Sequence, residues 1–172
     1  MAIIPDTKDW MWVTGRRCPD CGFDPAGVTP DTVGPALRAT VPRWHQVLAR
    51  PGVRERPDDS TWSPLEYASH VRDVCRLFHS RLELMLEQEN PGFTNWDANV
   101  AALEGRYREQ DPAEVARQLE EAAIATASTF EAVTPDQWER PGLRSNGTTF
   151  SITTLGSFFL HEVLHHMYDV GA

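Results

Sequence analysis

Residues 159–169 read Phe-Leu-His-Glu-Val-Leu-His-His-Met-Tyr-Asp. The architecture turns on reading this string as a helix that faces inward. As a helix, it puts His161 and His165 on one face, one turn apart. Phe158 and Tyr168 extend that face, which is expected to point inward, and apolar residues fill much of the remaining circumference. The helix is expected from about Ser151 to Val170, with Gly171 placed to end it.

Three more helical patterns lie upstream, separated by proline and glycine. Val33, Leu37, Val41, Trp44 and Leu48 recur at three- and four-residue steps, with Pro35 and Pro42 implying a late start or a kink. The next helix opens at Ser63-Pro64-Leu65-Glu66, where Ser63 can cap, Pro64 suits the first helical position and Glu66 completes a capping box. Its stripe runs from Tyr67 through Val71, Val74, Phe78 and Leu82 to Met85, until Asn90-Pro91-Gly92 ends it. A short connecting helix fits residues 95–107. Asp111-Pro112-Ala113-Glu114 then opens a third long helix with Val115, Leu119, Ala122, Thr126 and Val133 on its stripe. Residues 140–150 carry Pro-Gly and Asn-Gly pairs that favour turns or a small hairpin. Without a convincing set of strands, an all-α antiparallel four-helix bundle over residues 29–172 is the economical architecture, preceded by an extension over residues 1–28.

The composition, 41% hydrophobic and 24% charged, fits a soluble globular chain. No apolar run approaches the roughly 20 residues that span a bilayer. The first residues show no basic segment followed by an apolar one, so a cytoplasmic location is expected. A formal charge of -9 and the lack of a basic stripe argue against nucleic acid. A small-molecule substrate is the expected partner, with no membrane, and a homodimer is left open.

His70 lies between Tyr67 and Val74 beside the apolar stripe of its helix. It should face inward or toward a groove, so His70, His161 and His165 could form a three-imidazole site with open positions for water or substrate. Alone, His70 would more simply be satisfied by a carboxylate or a carbonyl; the pair at four-residue spacing is what points to a metal. His166, offset by about 100° from His165, is expected outside the set.

The stretch at residues 58–78, Asp-Asp-Ser-Thr-Trp-Ser-Pro-Leu-Glu-Tyr-Ala-Ser-His-Val-Arg-Asp-Val-Cys-Arg-Leu-Phe, resembles the second helix of the DinB-like (DinB/YfiT) family. His70 and Asp73 match its His-x-x-Asp. The stretch Phe158-Phe-Leu-His-Glu-Val-Leu-His-His166 resembles the family's last helix, with His161 and His165 matching its His-x-x-x-His. The resemblance spans roughly residues 30 to 170. It implies a four-helix bundle holding a divalent metal, zinc or nickel, and relatedness to mycothiol- and bacillithiol-dependent transferases and isomerases.

The same string contains the His-Glu-x-x-His of zinc peptidases, in which the glutamate polarises water. A third ligand would have to come from upstream, and no strand is evident to hold an extended peptide, so a peptidase is not expected. Glu162 is instead a candidate catalytic proton carrier. Asp73 and Asp169 are placed to orient imidazoles or to remain solvated, and Arg140 and Arg144 to clamp an anionic group or to lie exposed.

Cys18 and Cys21 form a Cys-x-x-Cys knuckle, half of a zinc ribbon, as a candidate second metal site. Completing it would take Cys75 plus a histidine, or a second subunit. A redox pair or a tail that packs without metal are the alternatives. Three function classes follow. The first is a metal-dependent transferase or isomerase using a low-molecular-weight thiol as co-substrate; the second is a metal-dependent hydrolase; the third is a non-catalytic metal-binding stress protein.

Overall fold

Each long helix begins where its local sequence satisfies the first free backbone N–H groups. Thr29 and Thr32 form a capping box on α1 (Pro30–Leu48), and Ser63 and Glu66 form one on α2 (Pro64–Glu87). In the latter, Ser63 donates its backbone N–H to Glu66 Oε2 at 2.9 Å, while Ser63 Oγ accepts from the Glu66 N–H at 3.3 Å. After the short α3 (Ala98–Glu104), Asp111 accepts from the Glu114 N–H at 3.0 Å to start α4 (Pro112–Glu131). Ser151 and Thr154 cap α5 (Ile152–Asp169), which Gly171 closes at φ +61°. The computed structural model describes residues 10–172, so residues 1–9 of the expected extension lie outside the described residues.

Pro35 and Pro42 fall inside α1 and neither delays nor ends it. Both lie on its exposed face, where water can take the carbonyls that lose an intrahelical donor.

The helices form a four-helix bundle in which α4 and α5 each pack against both α1 and α2. The two helices met first along the chain therefore face each other mainly across the diagonal. The core is aromatic where α2, α4 and α5 meet: Phe159 stacks on Phe78 at 5.1 Å and on Phe130 at 6.1 Å between ring centroids. Between α4 and α5 the turn-rich link forms the small hairpin, with β1 (Pro141–Leu143) antiparallel to β2 (Thr149–Ser151). Gly147, at φ +86°, supplies the turn. No described helix is long and apolar enough to cross a membrane.

α2 and α5 are neighbours, so His70 and the histidines of α5 meet near one end of the bundle. The 3-10 turn Trp10–Thr14 packs against α5 from outside and carries the Cys18–Cys21 knuckle with it.

Candidate metal centres

Two i,i+4 pairs interleave on one stretch of α5: His161 with His165, and Glu162 with His166. They differ by one residue, about 100° of helix rotation, and so face different neighbours. Glu162 and His166 turn to His70 on α2, and His161 and His165 turn to Cys18 and Cys21. The three-imidazole set expected from the spacing is thereby divided. No group among the described residues joins His70 to His161 and His165 within 4.8 Å.

In the first group, Glu162 Oε1 lies 3.1 Å from His70 Nε2 and 3.3 Å from His166 Nε2. Ligands at about 2.0–2.1 Å on a tetrahedral ion are separated by about 3.3 Å, so these atoms fit a divalent cation. Asp169 Oδ2 holds His166 Nδ1 at 2.9 Å, leaving Nε2 aimed at Glu162. This is the carboxylate–imidazole arrangement that orients metal ligands. His70 is 2% exposed, and its Nδ1 is buried without a hydrogen-bond partner.

Burial lowers the His70 pKa, against the pull of Glu162. For His166 burial acts in the same sense, but its hydrogen bonds with Asp169 and Glu162 outweigh it and raise the group to about 9. Glu162 is held well below the usual carboxylate range because its bonds to His166 and His70 overcome its own burial.

The group lines a cavity of about 340 Å³ together with Trp10, Trp62, Tyr67 and Asn99, and His161 and His165 reach the same cavity from the other side of α5. Aromatic rings wall it. Trp62 lies 5.1 Å from the His70 ring and Tyr67 5.1 Å from His166; Trp96, 5.6 Å from His70, lines the neighbouring cavity instead. A neighbouring cavity of about 220 Å³ also touches Glu162 and is lined by Arg81 and Arg144.

In the second group, Cys18 Sγ stands 3.7 Å from His165 Nδ1. The His161 ring lies 5.4 Å from Phe23 and 5.5 Å from Trp10. Burial, then the neighbouring His165, lowers His161 to about 4. Cys75 stands apart from both groups; its thiol is buried in the core and pushed up to about 12 by that burial.

Of the remaining candidates, Asp169 orients an imidazole and Asp73 does not. Asp73 accepts from Arg72 Nε at 2.8 Å and from the Tyr107 hydroxyl at 2.6 Å. Arg140 turns to the end of α2, donating to the carbonyls of Met85 and Gln88. Tyr168, expected inward, is 57% exposed. His166, expected outside the ligand set because it is offset from His165, pairs with Glu162 instead, and that four-residue spacing is the signal in the sequence that finds it.

No curated protein matches the chain. Among solved structures, YfiT from Bacillus subtilis, described as a probable metal-dependent hydrolase with an unusual four-helix bundle topology, is similar at a TM-score of 0.71. The two share 17% identity over 83% of this chain and 85% of that one, a likeness of fold. Residues 52–170 match the family model of the DinB superfamily, and with more than half of its length inside that match, the chain belongs to the DinB superfamily.

Proposed function

We propose that this protein is a divalent-metal-dependent enzyme whose centre is His70, Glu162 and His166, and that it joins a low-molecular-weight thiol of the mycothiol type to a small electrophile or isomerises such an adduct. The observation that carries the reading is Glu162 Oε1 set between two imidazole Nε2 atoms, at 3.1 and 3.3 Å, on the wall of a cavity large enough for a small molecule. Zinc or nickel suits this nitrogen and oxygen donor set. Such an ion would lower the pKa of a bound thiol, making a nucleophile available near neutral pH.

The chain's own groups do the rest. Asp169 fixes the His166 ring, and Trp10, Trp62 and Tyr67 supply apolar walls that exclude water from one side of the centre. Arg144 has a buried Nη1 without a hydrogen-bond partner. Burial, then the charge of Arg144, pushes Arg81 down to about 10. Two neighbouring guanidiniums in a cavity bordering Glu162 favour a substrate bearing a carboxylate. In this assignment Glu162 is a ligand, and His161 and His165 leave the reacting centre. A cytoplasmic setting accompanies the reading, since a reduced thiol pool is found there, and the acidic chain has a small molecule, not nucleic acid, as its partner.

A metal-dependent hydrolase is the second reading, favoured by the description of YfiT; bound water would then take the place of the thiol. A peptidase fits neither reading. The one described sheet is a short hairpin that does not line the centre, so an extended peptide has no strand to pair with.

Metal-loaded protein offered a panel of electrophiles, with and without individual thiols, tests the proposal. Conjugation that needs both metal and a particular thiol is expected. Thiol-independent cleavage of esters or amides would replace it with the hydrolase reading, and metal-loaded protein inert to both panels would overturn both.

A further inference from the structure

We infer that Cys18, Cys21, His161 and His165 form a second, closed zinc site that fastens the N-terminal extension to α5. Their four ligand atoms all lie within 4.8 Å of one another. The one distance between the two elements, 3.7 Å from Cys18 Sγ to His165 Nδ1, compares with about 3.6 Å for the sulfur–nitrogen edge of a tetrahedral zinc site with Zn–S near 2.3 Å and Zn–N near 2.0–2.1 Å.

The local backbone is already that of a ligand knuckle. The Gly22 N–H donates to the Cys18 carbonyl at 3.0 Å, the Cys18 N–H donates to Phe23 O at 2.8 Å, and Gly22 takes φ +77°. This tight loop turns both cysteines toward the same point. The opposite half is helical, with His161 and His165 one turn apart.

A separate observation on the histidine side points to a ligand. His161 is 2% exposed, and its Nε2 is buried with no hydrogen-bond partner. A buried polar nitrogen normally has one. Cys18 is fully buried and both thiols are free of disulfide. Zinc binding would release a proton from each thiol to solvent, while the neutral imidazoles donate lone pairs. The resulting centre, a dication with two thiolates and two neutral rings, has no net charge, as burial favours. No electrons change hands.

Four protein ligands leave no position for substrate, so the role is structural. The anchored segment carries Trp10, whose ring lies 5.3 Å from His165 and which walls the cavity of the first centre. The clamp therefore helps shape the reacting pocket without taking part in its chemistry.

Cobalt replacing zinc in the full-length protein is the test. Wild type is expected to show intense sulfur-to-cobalt charge-transfer absorption and to hold metal at both centres. Cys18→Ser/Cys21→Ser should lose that absorption and one of the metal equivalents. His70→Ala should lose the other equivalent and keep the absorption, which separates failure of this site from failure of the proposed catalytic centre. A cobalt-loaded wild type without thiolate absorption, or one that retains it in His161→Ala/His165→Ala, would overturn the inference. If the cysteine variant does not fold, alkylation of the wild type decides: protection of Cys18 and Cys21 until a chelator is added is expected, and equal labelling before and after chelation overturns the site.

Discussion

Glu162 and His166 stand one helical turn apart on α5 with Oε1 and Nε2 separated by 3.3 Å, and the same Oε1 lies 3.1 Å from His70 on the neighbouring helix. Glu162 thus links α5 to a residue of α2 that lies 92 positions away in sequence. The glutamate of a His-Glu-x-x-His string here belongs to a different face from the two histidines that flank it.

Replacing the bridging carboxylate should damage metal binding itself. Glu162→Gln and His166→Ala are each expected to lower affinity at the first centre by roughly 100-fold or more and to reduce turnover accordingly, as read by metal titration of apoprotein beside steady-state rates. Full metal retention in Glu162→Gln would return the residue to the role of proton carrier.

Asp169→Asn should act more gently, because Asp169 acts through the imidazole it holds at 2.9 Å. A loss of about 10–100-fold in metal affinity is expected, with the helix content of the protein unchanged by circular dichroism.

Arg144→Ala should raise KM by roughly 10–100-fold for an acidic electrophile, the loss of one charge-assisted hydrogen bond. A neutral electrophile of the same size should show little change. Equal effects on both would point to packing of Arg144 over Phe150 and Phe158.

The start of α2 should make the fold acid-sensitive. Against burial, which would raise it, the Arg56 guanidinium and the Ser63 N–H hold the Glu66 carboxyl below its usual range. A group whose folded pKa is depressed contributes stability above its unfolded value, about 4.3, and that contribution disappears as pH falls through the folded value. Denaturant midpoints should decline below about pH 4.3, and Glu66→Gln should flatten this decline. Arg56→Ala leaves a carboxylate of 3% residue exposure without its cation, at a cost of roughly 3 kcal/mol near neutral pH.

Phe159→Ala should cost about 3–5 kcal/mol, since its ring is fully buried between Phe78 and Phe130. Thermal unfolding of metal-free protein measures this without contributions from either centre.

The helices were legible because their signals are local. Ser63-Pro64-x-Glu66 and Asp111-Pro112-x-Glu114 fix starting points within four residues, and Gly171 marks a stop. The candidate site was legible only in part. The string at 161–166 contains two four-residue spacings, and spacing alone does not reveal which of them turns toward α2. That choice depends on how α5 is rotated against α2 and the extension, a tertiary property. The missing half of the cysteine knuckle was hidden for a related reason, because its complementary nitrogens lie on the last helix. Arg140 and Arg144, equivalent as loop arginines in the sequence, are separated by the hairpin, which sends one to the carbonyls of α2 and the other into a cavity.

The 147 positions between Cys18 and His165 also order events during synthesis. The knuckle leaves the ribosome well before its helical counterpart. Any metal caught by the two cysteines at that stage has open positions and is exchangeable. At the inferred site it would be locked only once α5 docks, so tight retention of this ion would report that the extension and α5 have come together.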